Sequence, residues 1–286
     1  MWNRVHPSFA SFAPMVASLI MVGAVASEAQ ASAADLYYER SVAVAAQAKC
    51  GMFEPRVAAA LDAATLQARG AALRAGIEAA SLSASSSRAR ARVDQVSCQD
   101  AQMRLMTARV RQGFAGWQRA ARITFDGWKG DRFQSKAEGW RLAQDSLTGR
   151  SPVRLGLVGR GPEQVKLAAV VSFAGRNRPY AARLVVRNPQ VLPRPWLVGQ
   201  GMPPASVQTG FFATSTKAAP KTLLQTDQRQ GEQWLFSAEA IEAVSRLDPR
   251  ETVSIEFLFR DDSVAVAQFE VGDFAAGRAF LAMGPI

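Results

Sequence analysis

Asp131 and Glu138 are the residues of this chain whose types and spacing most suggest chemistry, because they share a short stretch with Trp128, Arg132 and Trp140. Two acids, one protonated and one ionised, can cleave a glycosidic bond, and indole rings beside them suit the face of a sugar. The composition favours a plainer reading. There the tryptophans pack at a junction between two layers, and Asp131 pairs with a nearby arginine. Aromatic and basic residues gathered in a connecting segment still make this the stretch to examine first for a site.

Two other patterns are weaker. Ser215-Thr216-Lys217 spaces a hydroxyl and an amine as in a serine–lysine dyad, the one nucleophile arrangement that needs no histidine. The lysine of a dyad must be buried to act as a base, and this one lies in a polar, proline-flanked stretch. Gly156-Leu157-Val158-Gly159-Arg160-Gly161 has the look of a phosphate loop. It lacks the Gly-Lys-Ser/Thr ending, and Pro162 follows where a helix would have to start. A strand end and turn explain it better. Nothing in the chain calls for a cofactor or a metal.

The start of the chain restricts the chemistry further. Met1-Trp2-Asn3-Arg4 is short and positive, an apolar run spans Phe9 to Val25, and Ala29-Gln30-Ala31 fits a signal-peptidase site. Residues 1–31 are therefore expected to be a signal peptide, cut near Ala31 to leave a periplasmic or secreted protein starting near Ser32. His6, the only histidine, would go with it. Serine–histidine and cysteine–histidine catalysis would then be excluded, and so would histidine-ligated zinc. If the segment stays attached, a membrane-anchored assembly factor becomes the alternative.

Cys50 and Cys98 are the only cysteines, and in an oxidising compartment an isolated pair is expected to bridge. The net charge is +10, and it survives cleavage because Arg4 and Glu28 cancel. Such a surface would be drawn to anionic envelope surfaces. The arginines are spread along the whole chain, as Ala- and Arg-rich composition alone would give. An exported chain has little access to nucleic acid, so another envelope protein or an anionic envelope surface is the expected partner.

The elements that must position these residues divide by composition. Residues 32–125 are rich in Ala and Arg, with Pro55 their only proline. They predict an antiparallel helical bundle clamped by the disulfide. Asp35 is expected to cap the first helix and Gly51 to stop it, with Pro55 in the first turn of the second. Ser81 to Ser87 reads as a turn before a third helix from Arg88. Ser97 and Asp100 form an approximate capping box for a fourth. Met103, Met106, Val110, Phe114, Trp117 and Ala121 then make one stripe, expected to be core. Residues 126–150 are expected to connect. Residues 151–286 predict a mainly antiparallel β domain with short flanking helices, so the fold class is α+β. Strands are expected at 153–158, 165–173, 180–187, 252–260 and 264–271, helices at 238–246 and 274–283, and a loop-rich segment at 189–222.

The mature chain resembles a set of exported alphaproteobacterial proteins without assigned function. The residues that carry the likeness are Tyr38-Glu39-Arg40, Cys50 with Phe53, Ala68 to Gly76, Cys98 and Trp140-Arg141-Leu142. The last fifty or so residues also resemble the end of invasion-associated locus B proteins, through Gly272-Asp273-Phe274-Ala275-Ala276 leading into a terminal helix. These resemblances imply an exported, β-rich C-terminal part and bring no activity or site residue. The function expected is a non-enzymatic binding or scaffolding module of the cell envelope. The alternative is an envelope hydrolase acting on glycan or peptide through the carboxylates or the Ser215–Lys217 pair.

Overall fold

The structure, a computed structural model, describes residues 21–173, 178–197 and 201–286, with side chains from Ala33 onward. It is α+β: four N-terminal helices precede antiparallel sheets. The helices are α1 (Met21–Cys50), α2 (Pro55–Arg74), α3 (Ala79–Asp94) and α4 (Ala101–Arg119). Most of the expected signal segment, residues 1–20 with His6, lies outside the described residues. Asp35 does not cap α1. The helix runs through it from Met21, because the alanine-rich residues upstream are good helix formers in an uncut chain.

Helix ends follow local chemistry. Gly51, at φ +61°, ends α1 just after Cys50. Pro55 opens α2. Helix α2 stops at Arg74 because Gly76 takes φ +91°. Its N–H donates to the Leu73 carbonyl and that of Ile77 to the Ala72 carbonyl, both at 3.0 Å, which is a Schellman motif. The serine-rich stretch corrects the sequence reading, for it is the first half of α3. Leu82, Ala89 and Val93 bury one face there, and Ser86 Oγ donates back to the Ser83 carbonyl. At the start of α4, Asp100 is itself the cap and accepts from the Gln102 N–H at 2.7 Å.

Helix α1 packs on α2 and α3, and α4 lies mainly on α2. The Cys50–Cys98 disulfide joins the end of α1 to the segment before α4, with a Cα–Cα distance of 5.7 Å. No described helix is long and apolar enough to cross a membrane.

Among the described residues eleven strands follow: β1 (Arg122–Phe125), β2 (Trp128–Asp131), β3 (Gly139–Thr148), β4 (Ser151–Gly159), β5 (Lys166–Val171), β6 (Ala181–Arg187), β7 (Gln208–Phe212), β8 (Ser215–Ala218), β9 (Glu232–Leu235), β10 (Thr252–Leu258) and β11 (Val264–Glu270). A seven-stranded sheet has the order β1-β2-β3-β4-β5-β9-β8, and a four-stranded one β11-β10-β6-β7. Residues 126–150, expected to connect, are instead largely strand. Asp126-Gly127 makes a two-residue hairpin turn with Gly127 at φ +77°, so Phe125 pairs with Trp128. The expected loop at 189–222 also carries β7 and β8.

Alternation along the strands places the core between the sheets. On β10, Val253, Ile255 and Phe257 are buried, and the Phe257 ring meets Phe173 and Trp234 edge-on. Helix α5 (Ala238–Ser245) bridges β5 and β6 across the two sheets. Helix α6 (Phe274–Leu281) lies between α2 and β1–β3. The same core takes in Ala60 and Ala63 of α2. Gln144 seals the edge of β11: its carboxamide oxygen accepts the Glu270 N–H at 2.8 Å, and its nitrogen donates to the Glu270 carbonyl at 3.2 Å.

Candidate functional site

The Trp128–Trp140 stretch is spread across the sheet rather than gathered into a site. Trp128 is buried, donates from Nε1 to the Val271 carbonyl at 2.8 Å and meets the Phe274 ring edge-on. Trp140 lies on the other side, donating to the Leu223 carbonyl at 3.1 Å, with the Arg154 guanidinium near its ring. A bulge in β3 between Trp140 and Leu142 turns Arg141 inward. There it faces Asp131 and donates to the Phe133 carbonyl. Asp131 is also held by Arg122 at 2.9 Å.

Arg132 has no solvent exposure. Its guanidinium donates to the carbonyls of Trp117 and Ala120, at the end of α4, and of Met283 and Gly284, just past α6. Two helix C-termini therefore aim their partial negative charge at one cation. Burial, helped by the nearby positive charge of Arg56, lowers its pKa from the usual arginine value. This is the geometry of a structural clamp.

Glu138 faces a different way. Its Oε2 is 3.1 Å from Lys217 Nζ, and its Oε1 accepts from the amide of the buried Gln233 at 3.3 Å. Glu138 and Lys217, which the sequence assigned to two separate candidates, thus meet in one charged cleft of about 510 Å³. Asp131 is not among the residues lining it. Arg160, Glu163 and Lys166 also line the cleft. The glycines of the 156–161 run answer to packing. A Cβ on Gly156 would sit 1.9 Å from the Leu142 carbonyl oxygen, opposite the β3 bulge, and one on Gly159 would sit 2.7 Å from the Gln164 carbonyl oxygen. Ser215 and Lys217 share one face of β8, and both are exposed. Among the described residues, no group of three or more acidic, cysteine or histidine side chains is arranged to hold a metal ion.

A further candidate, which sequence reasoning missed, lies on the helices. Of the α4 stripe, Met103 is buried, but Met106, Val110, Phe114 and Trp117 are only half-buried. Helices α1 and α4 both rest on α2 and barely touch each other. Between them runs an open groove of about 780 Å³, floored by Ala43 and Leu61 and walled by the α4 stripe. Leu36 and Leu105, 41% and 53% exposed, stand in it. Arg40, Arg92 and Arg109 line it together with one acid, Glu39. Arg40 donates to the Ala64 carbonyl, and burial lowers its pKa while Glu39 acts in the opposite direction. Helical periodicity identified the stripe but read it as core, because period alone does not count how many neighbours will cover a face.

Comparison with protein-family models, with curated proteins and with solved structures finds no match to this chain.

Proposed function

We propose that this is an exported, non-enzymatic binding module of the cell envelope whose site is the groove between α1 and α4. The observation that carries the reading is the half-covered methionine and aromatic stripe of α4, which lines an open channel of about 780 Å³. A largely apolar channel carrying Met103 and Met106 suits an interaction surface, since unbranched thioethers adapt to varied partners. In this reading the four helices act as a disulfide-clamped bundle that keeps the channel open, and the β part serves as its rigid support. The signal-like start and the Cys50–Cys98 bridge support export. The resemblance to exported alphaproteobacterial proteins agrees with it.

The hydrolase reading draws less support. The carboxylates named for it each face their own cations: Asp131 meets Arg122 and Arg141, and Glu138 meets Lys217.

The test is a photo-crosslinking amino acid at position 105, inside the groove, with position 136 on the sheet part as control. Irradiation of the native envelope should yield an adduct from 105 and none from 136. Equal adducts from both positions, or none from 105, would overturn the proposal.

A further inference from the structure

We propose that the occupant of the α1–α4 groove is an amphipathic helix of a partner protein with acidic residues flanking its apolar face. The inference rests on the groove being the binding site and adds the chemistry of what fills it.

Three features point to a helix. The wall from Gln102 to Trp117 runs along α4 for about 22 Å at 1.5 Å per residue, which is about four helical turns. The groove lies between two helices that share a third as floor, so an added helix would have neighbours on three sides. It is also open to solvent, as the exposure of Leu36 and Leu105 shows. An occupant must therefore be apolar on one side and polar on the other, as an amphipathic helix with anchors at i, i+3, i+4 and i+7 is. A single acyl chain would leave one flank in water.

The rim supplies the sign of charge. Arg40, Arg92 and Arg109 outnumber Glu39, on a chain of net charge +10. Acidic flanks would be steered to that rim, and basic flanks repelled. The same charges oppose a second copy of this chain, because a two-fold groove-to-groove contact would bring like rims together.

The experiment uses the oxidised full chain and two fluorescein-labelled helical peptides of about four turns. Both carry the same leucine stripe, with glutamates on the flanks of one and lysines on its twin. Anisotropy should show the glutamate peptide binding at least about tenfold tighter at low salt. Val110→Asp, in the wall, should abolish its binding. Arg109→Glu, at an exposed position, should remove or reverse the preference for glutamate without disturbing the fold. Twins that bind equally, or no binding by the glutamate peptide, would overturn the inference. So would phosphatidylglycerol vesicles binding in a manner lost in Val110→Asp, or a dimer that Arg109→Glu strengthens. A crosslink from position 105 with no peptide binding would retain the groove as the site and reject the acidic helix. Loss of both would reject both proposals.

Discussion

Buried charge decides what individual residues do in this molecule. Arg132 gathers carbonyls from the ends of α4 and α6, so Arg132→Met should leave them without donors at a cost on the order of 3 kcal/mol. Urea denaturation measures it, and a loss under about 1 kcal/mol would mean that water replaces the guanidinium. Asp273 behaves differently. It lies at the start of α6 with Arg74 3.1 Å away and Asp126 nearby. Burial raises its pKa despite the pull of Arg74. The native state then holds a proton that the unfolded chain has released above a pKa of about 3.9. Its contribution is therefore full below that pH and lost as pH rises through the native value. Asp273→Asn should flatten the stability profile in that window. A variant whose stability tracks the parent at every pH from 4 to 7 would contradict the shift.

Among elements, the α1–α4 pair depends on a covalent link where packing is thin. The two helices barely touch, yet Cys50 and Cys98 tie the end of α1 to the lead-in of α4 across a sequence separation of 48. Closing a loop of that size stabilises by roughly 4 kcal/mol in the chain-entropy model. Cys50→Ser with Cys98→Ser should cost about that much. Hydrogen exchange should quicken first in α4, whose exposed face gives it few other restraints. If exchange quickened first in β10, the bridge would be stabilising the sheets instead. A different link joins helices to sheet: Arg74 reaches Asp126 in the β1–β2 turn and Asp273 at α6. Gly70 permits that approach, for a Cβ there would lie 2.3 Å from Asp273 Oδ1.

For the whole molecule, the deciding question is where the chain begins. A cut near Ala31 removes the first turns of α1, which runs from Met21, and leaves the groove intact because its lining starts at Leu36. Intact mass of protein from its native envelope should correspond to a start near Ser32, with both cysteines resistant to alkylation until reduced. A full-length mass would restore His6 and favour the anchored alternative. The charge of +10 belongs to this scale as well. It accelerates encounter with any acidic partner, and salt should weaken that encounter.

Features under the control of local chemistry were legible in the sequence. Gly51 and Pro55 punctuate α1 and α2, alternation marks β10 and β11, and the cysteine count implied the bridge. The Asp126-Gly127 turn was equally legible as a hairpin signal, and it would have shown strands on either side of it, at 122–125 and 128–131. Three other matters depend on residues distant in sequence and emerge only in the folded chain. Serines 81–87 are helical since α1 offers a surface to Leu82 and Ala89. Glu138 meets Lys217 rather than Asp131 although β4, β5 and β9 separate β3 from β8 in the sheet order, a contact that neither sequence spacing nor strand order reveals. The α4 stripe lines a groove since α1 and α4 diverge on α2, and periodicity names an apolar face without saying what will cover it.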